Sequence, residues 1–152
     1  MRTISRCFLS ALLGCFCWLS ASSGAQAALY QRYQNGACAS NLNCFITFPL
    51  IPAGKTLQVT NVSCYLRVIE ITEIFAQQLL VIASNGTTII SAVTLEPRII
   101  DTFSGSPSKT VYSANHTILA FATAGQRFRA SSQLRYGNND QFSCHISGHM
   151  TP

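Results

Sequence analysis

The chain has 152 residues, of which 48% are hydrophobic and only 10% are charged, and its formal net charge is +5. A positive excess this mild is not typical of a nucleic-acid binder, which concentrates Lys and Arg on one surface. We find no low-complexity tract and no internal repeat, so we expect one ordinary globular domain rather than a fibrous or repetitive protein.

The first 27 residues predict a secretory signal peptide. A basic start at Arg2 and Arg6 precedes an apolar run, Cys7–Leu19, and small residues that end in Ala25-Gln26-Ala27. This is the order of charge, apolar run and A-x-A cleavage site that exported proteins show. The run has 13 residues, fewer than the roughly 20 that span a bilayer as a helix. We therefore expect cleavage after Ala27, a secreted or periplasmic location and no membrane span.

A lipid anchor at Cys15 is the alternative reading of the same segment. Leu12-Leu13-Gly14-Cys15 resembles the lipobox of bacterial lipoproteins, in which the cysteine is acylated. Such proteins turn polar after that cysteine, whereas this chain stays apolar through Leu19. Lipoprotein anchoring at Cys15 therefore ranks below a cleaved signal peptide.

Cleavage would also remove three of the seven cysteines and leave four, namely Cys38, Cys44, Cys64 and Cys144. Four cysteines in an exported chain indicate two disulfides, for which three connectivities exist. We favour one bridge that closes a tight local loop, Cys38–Cys44. The other would then join strands that are distant in the sequence, Cys64–Cys144.

Residues 28–152 predict a single all-β domain. In this segment eight Lys and Arg residues face five Asp and Glu residues, a net charge of +3. Runs of β-branched and aromatic residues alternate with Gly, Pro, Asn and Ser, the spacing of a β-sandwich or barrel. About eight strands fit this pattern, which is typical of a jelly-roll-like sandwich.

The first two predicted strands are residues 45–48, which Pro49 ends, and the long segment 56–69. In the long segment the apolar residues change parity near Thr60-Asn61, and one extra residue there, a β-bulge, would keep one side facing the core. The predicted inward side chains are Leu57, Val59, Val62, Cys64, Leu66 and Val68.

Residues 75–95 predict a hairpin that turns at Ser84-Asn85-Gly86, because Asn-Gly accepts the positive φ of tight turns. A short helix is an alternative at residues 71–80, where Ile71, Ile74, Phe75 and Gln78 would share a helical face. The β-branched neighbours favour a strand. A further strand or an irregular segment is expected at residues 98–103.

The C-terminal part predicts three more strands. In the clearest of them Phe128, Ala130, Ser132, Leu134 and Tyr136 alternate with polar residues, and residues 137–140 then turn the chain into the final strand. In a strand Cys144 points away from His145 and His149, which share a face but lie roughly 13 Å apart. Zinc ligands lie about 2.0–2.3 Å from the metal, so we expect no metal site and no cofactor.

The polar side of that clearest strand is the predicted binding surface. It carries Arg127, Arg129, Gln133 and Arg135. Guanidinium groups pair bidentately with oxyanions, so these residues could bind a glycan or another anionic surface polymer. The other interpretation is that charged residues on a surface strand serve to block aggregation.

Residues suited to catalysis are scarce. We find no assembled catalytic set, so we expect a non-catalytic binding module or a part of the cell exterior. One alternative is a hydrolase of envelope polysaccharide that uses Glu70 or Glu73 with Asp101, since glycoside hydrolysis needs two carboxyl groups about 5–9.5 Å apart. Another alternative is a structural subunit that associates with itself.

Two segments carry a resemblance to known proteins. "IPAGKTLQVTNVSCYL" and the terminal "QFSCHISGHM" resemble segments of small exported β-sandwich proteins of unknown function from Gram-negative bacteria. Those proteins have an aromatic residue after the final glycine, where this chain has His149. The resemblance implies export and a β-sandwich, and it carries no functional residue to this chain.

Overall fold

A computed structural model describes residues 27–36, 38, 42–69, 74–135 and 138–152. These residues form nine strands and no helix. The strands are β1 (Ala28–Gly36), β2 (Asn43–Thr47), β3 (Thr56–Ile69), β4 (Ile74–Ile82), β5 (Ile89–Leu95), β6 (Arg98–Phe103), β7 (Lys109–Thr123), β8 (Arg127–Leu134) and β9 (Asn138–Thr151).

The strands build two antiparallel sheets that pack against each other, in the orders β1-β9-β3-β7-β6 and β2-β8-β4-β5. Without β6, the remaining eight strands follow the arrangement of a jelly roll, two four-stranded layers joined by Greek-key connections. The predicted all-β sandwich is thus confirmed. It has nine strands rather than about eight, because β1 was not predicted and pairs with β9 along its whole length.

The core lies between the two sheets and is built by alternation along the strands. All six predicted inward residues of β3 are at most 1% exposed. The pairing of β3 with β9 shifts register between Val59 and Asn61, so that Thr60 is the extra residue. The predicted bulge is confirmed, and it returns the apolar side of β3 to the core after the change of parity.

Both predicted disulfides are present. Cys38 and Cys44 close a loop of sequence separation 6 at the start of β2. Cys64 and Cys144 are separated by 80 residues in sequence but face each other on the adjacent strands β3 and β9. The second bridge therefore ties two neighbouring strands of one sheet rather than the two layers.

The predicted hairpin is also confirmed. Strands β4 and β5 pair in antiparallel fashion, and Gly86 in the connecting turn has a φ of 77°. The segment 74–82 is strand, which excludes the helical alternative there. The expected turn at residues 137–140 is wrong in its extent, because Asn138 already pairs with Ile69 of β3.

Several expectations concern residues outside those that the structure describes. They include the signal peptide up to Gln26, the lipid-anchor alternative at Cys15 and the carboxylates Glu70 and Glu73. Among the residues described, no helix has the length and apolar character needed to cross a membrane.

Candidate binding surface

The predicted arginine strand is β8, an interior strand of the four-stranded sheet between β2 and β4. Its apolar side faces the core, where Phe128, Ala130 and Leu134 are at most 2% exposed. The polar side faces outward, as the alternation predicts. Because β8 has a neighbour on each side, its charged residues do not protect a sheet edge.

Two of the predicted arginines hold the β4–β5 turn against the outside of this sheet. The guanidinium of Arg127 donates a hydrogen bond to the carbonyl of Ser84 at 3.2 Å. That of Arg129 donates to the carbonyl of Gly86 at 3.0 Å. Both side chains are half-buried. Arg127 and Arg129 therefore have a structural role, whether or not they also contact a ligand.

Arg129 has two further contacts with β2. Its Nε donates a hydrogen bond to the Thr47 hydroxyl at 3.2 Å, and its guanidinium lies 4.9 Å from the centre of the Phe45 ring. Such a cation–π contact fixes the position of both side chains. The Phe45 ring nevertheless remains 60% exposed.

Polar side chains surround the exposed ring on the outer face of the sheet. Ser131 of β8 lies opposite Phe45 on one side and opposite Gln78 of β4 on the other. In the next row Gln133 lies opposite Asn43. We call this the outer β8 surface, and it comprises Asn43, Phe45, Gln78, Arg129, Ser131, Gln133 and, just beyond the end of β8, Arg135.

Phe45 is the member of this surface that the sequence prediction missed. The signal was present in the alternation of β2, where Cys44 and Ile46 are buried and the residue between them must face outward. Gln133 and Arg135 are exposed, as expected. The structure thus places the predicted polar residues on one face and adds an aromatic ring beside them.

A concave region, separate from the outer β8 surface, lies beside β6. It is a cavity of about 460 Å³ lined by Glu96, Arg98, Ile100, Ser113, Asn115 and His116. The Nε2 atom of His116 lies 2.9 Å from the Glu96 amide nitrogen and 3.2 Å from the Glu96 carbonyl oxygen. The backbone of Glu96 therefore occupies this nitrogen, through its amide or its carbonyl group according to the tautomer of the ring.

Asp101, a member of the hydrolase alternative, is exposed on β6 and does not line that cavity. Its carboxylate accepts a hydrogen bond from the Thr102 amide at 2.8 Å. The carboxylates proposed to act with it, Glu70 and Glu73, lie outside the described ranges. The structure therefore gives no separation for this carboxylate pair.

The histidines of β9 lie as the alternation predicts. His145 faces Ser63 and Tyr33 across the sheet, and His149 faces Gln58. Cys144 points into the core and is bonded to Cys64. Within the described part of the chain, no three His, Cys, Asp or Glu residues are grouped closely enough to hold a metal ion.

A shallow apolar groove of about 320 Å³ lies at the β1 edge, where Tyr30 and Arg32 meet Leu50 and Met150. Partial burial raises the pKa of the Tyr30 hydroxyl, and the charge and hydrogen bond of Arg32 lower it by a smaller amount. The Tyr30 side chain is therefore neutral at physiological pH and contributes no charge to the groove.

We compared the chain with protein families, curated proteins and solved structures. No family model, no curated protein and no solved structure matches the chain. The fold and this surface define the class of the protein. It is a jelly roll with two disulfides and an outer face that is aromatic and polar.

Proposed function

We propose that the protein is an exported, non-catalytic binding module whose outer β8 surface binds a glycan or another anionic surface polymer. The observation that supports this proposal is the exposed Phe45 ring, which Arg129 fixes from one side and which lies in a row with Ser131 and Gln78. An exposed row of side chains along neighbouring strands suits an extended polymer better than a small ligand, which needs a concave site.

Each part of the surface has a role in such binding. The ring of Phe45 offers an apolar face on which the C–H side of a sugar can pack. The amides of Asn43, Gln78 and Gln133 both donate and accept hydrogen bonds, as sugar hydroxyls require. Arg135 adds a positive charge at the end of the row, where a sulfate, phosphate or carboxylate group would be favoured.

Export is the second part of the proposal. The two disulfides fit an extracellular or periplasmic location, where oxidising conditions allow such bonds to persist. The signal sequence proposed for residues 1–27 would supply the route, with cleavage after Ala27. Under this proposal Cys15 leaves with the signal peptide and does not anchor the protein.

The test compares variants on a panel of immobilised neutral, carboxylated and sulfated glycans. Phe45→Ala should weaken retention on every glycan that the parent protein binds, by about tenfold, which corresponds to about 1.4 kcal/mol. Arg135→Gln should weaken retention on the anionic glycans alone. Substituting Arg127 or Arg129 is less informative, because both residues also hold the β4–β5 turn.

Two variants away from the surface serve as controls. Leu119→Ala removes an equally exposed apolar side chain from β7 of the other sheet, and Lys55→Gln removes one positive charge from an exposed turn. Neither should change retention. The proposal is wrong if the parent protein is retained by no glycan, or if Phe45→Ala is retained as well as the parent.

A further inference from the structure

Strand β6 lies outside the regular jelly roll. It extends the five-stranded sheet beyond β7, and no strand in the described part of the chain pairs with its far edge. All six of its residues are exposed. The outer backbone N–H and C=O groups of β6 are thus available to another strand.

This open edge is apolar. Ile99, Ile100 and Phe103 of β6 are between 53% and 59% exposed. Strand β5, the last strand of the other sheet, contacts β7 and so lies on the same side of the sandwich, where its Ile89 and Ile90 are also exposed. Edge strands are commonly protected from pairing by Lys, Pro, a bulge or a covering segment. Strand β6 contains neither Lys nor Pro, and its single irregularity is the register shift at Ile100.

The two charged residues of β6, Arg98 and Asp101, lie on the same face of the sheet. Arg98 pairs with Ser113 and Asp101 with Val111, because the register of β6 against β7 shifts at Ile100. Ser113 and Val111 are two residues apart on β7 and therefore point to the same side. Without this shift, Arg98 and Asp101 would point to opposite sides.

We propose that β6 pairs in antiparallel fashion with β6 of a second copy of this chain, about a two-fold axis between Ile99 and Ile100. A two-fold axis perpendicular to the sheet keeps each side chain on its own face. Arg98 of each copy then lies opposite Asp101 of the other, so the interface contains two opposite-charge pairs around an apolar centre. An isologous interface requires such self-complementarity, and the result is one continuous sheet of ten strands.

Charge favours this partner over the other open edge of the same sheet. Strand β1 carries Arg32 as its single charged residue. Pairing β6 with β1 of another copy could satisfy Asp101 but would leave Arg98 without an opposite charge. That head-to-tail arrangement would also lead to a ring or a filament of several copies rather than to a dimer. The β6 edge shares no residue with the outer β8 surface, so this inference is independent of the proposed function.

The test measures the mass of the purified protein by light scattering over a concentration series. We expect a dimer at the upper concentrations. Arg98→Asp and Asp101→Arg should each raise the dimer dissociation constant by at least about tenfold, since like charges then face each other twice. The double variant R98D/D101R should dimerise again. An equimolar mixture of the two single variants should form a mixed dimer, because their edges carry opposite charges.

Lys55→Asp makes the same change in net charge as Arg98→Asp at a distant turn, and it should dimerise like the parent. Thermal unfolding of each variant shows whether the fold is retained, as expected for exposed positions. A parent protein that stays monomeric at every concentration overturns the inference. So do single variants that dimerise as the parent does, or a series of larger species, which would indicate pairing of β6 with β1.

Discussion

At the scale of single residues, Gly148 tolerates a side chain least among the glycines that the structure describes. A Cβ atom there would overlap the carbonyl oxygen of Gln58 and lie 2.8 Å from the Cα of Val59. Both of these are backbone atoms of β3, which the Cys64–Cys144 bridge and two neighbouring strands hold in place. The close approach of β9 to β3 beside the bulge therefore depends on glycine.

We predict that Gly148→Ala lowers the free energy of unfolding by about 3 kcal/mol or more, because β9 must move away from β3. Urea denaturation of purified protein measures the effect. Gly105→Ala is the matched control, since its added Cβ would meet only the carbonyl oxygen of Pro107 at 3.8 Å. Equal midpoints for the two variants would show that the approach at Gly148 is not tight.

The sequence predicts some of these single-residue features and not others. The inward residues of β3 were predictable, because alternation with one bulge is a local pattern. The outward position of Phe45 could have been predicted by the same argument and was missed. The requirement for Gly148 was not accessible, since it arises from a strand about 90 residues away in the chain and no local pattern records that approach.

At the scale of elements, the β4–β5 turn depends on the arginines of β8. Arg127 and Arg129 donate to the carbonyls of Ser84 and Gly86, which fixes the turn against the outer face of the sheet. The turn is also held within itself, since the Asn85 side chain accepts hydrogen bonds from the Thr87 and Thr88 amides at 3.1 Å. The shape of the turn is therefore determined by hydrogen bonds within it, whereas its position against the sheet is determined by the arginines of β8.

We predict that Arg129→Met speeds hydrogen exchange in the turn, most visibly at the Ala83 and Gly86 amides, which are bonded within it. The loss should be about 1 kcal/mol of local stability, the usual net value of a hydrogen bond. Methionine keeps most of the packing of the arginine stem. Lys55→Met, at an exposed turn elsewhere in the chain, should leave the exchange of these amides unchanged. If Arg129→Met also leaves it unchanged, Arg129 does not hold the turn in place.

Elements with a strong local pattern were predictable, and those defined by their partner were not. β3 and the β4–β5 hairpin have clear apolar runs and turn residues, and their predicted positions agree with the structure. β1 was missed because its segment, ALYQRYQNG, has no fully buried residue and becomes a strand by pairing with β9. The position of β6 at the edge of its sheet was likewise not predictable, because it depends on the order of the strands.

At the scale of the whole molecule, the two disulfides differ in the length of chain that they close. In the chain-entropy description, a loop of 80 residues contributes about 4.5 kcal/mol and a loop of 6 about 2 kcal/mol. All four sulfurs are buried to a similar degree, so the loss of packing is similar for either pair.

We therefore predict that the double variant C64A/C144A loses about twice as much stability as C38A/C44A, measured by urea denaturation with the parent protein as reference. Each double variant is the control for the other, because each removes two buried sulfurs. Equal losses, or a larger loss for C38A/C44A, would contradict the entropic explanation.

The fold class and the presence of two disulfides were predictable because they rest on composition, spacing and cysteine count. The connectivity was not, since four cysteines allow three pairings, although the structure has the one that we favoured. The order of strands within each sheet was not, because it depends on contacts that are distant in the sequence. The same limit applies to the candidate binding surface, since β2, β4 and β8 meet there only after the sheet has formed.

The strand order β1-β9-β3 has a consequence for how the chain reaches this structure. Strand β9 lies between β1 and β3, so neither of those can complete its hydrogen bonds before the 14 residues of β9 have been synthesised. Until β9 is present, β1 and β3 each lack the strand with which both of them pair. Under the export proposed above, such a chain would cross a membrane in extended form and become compact once β9 has paired with β1 and β3.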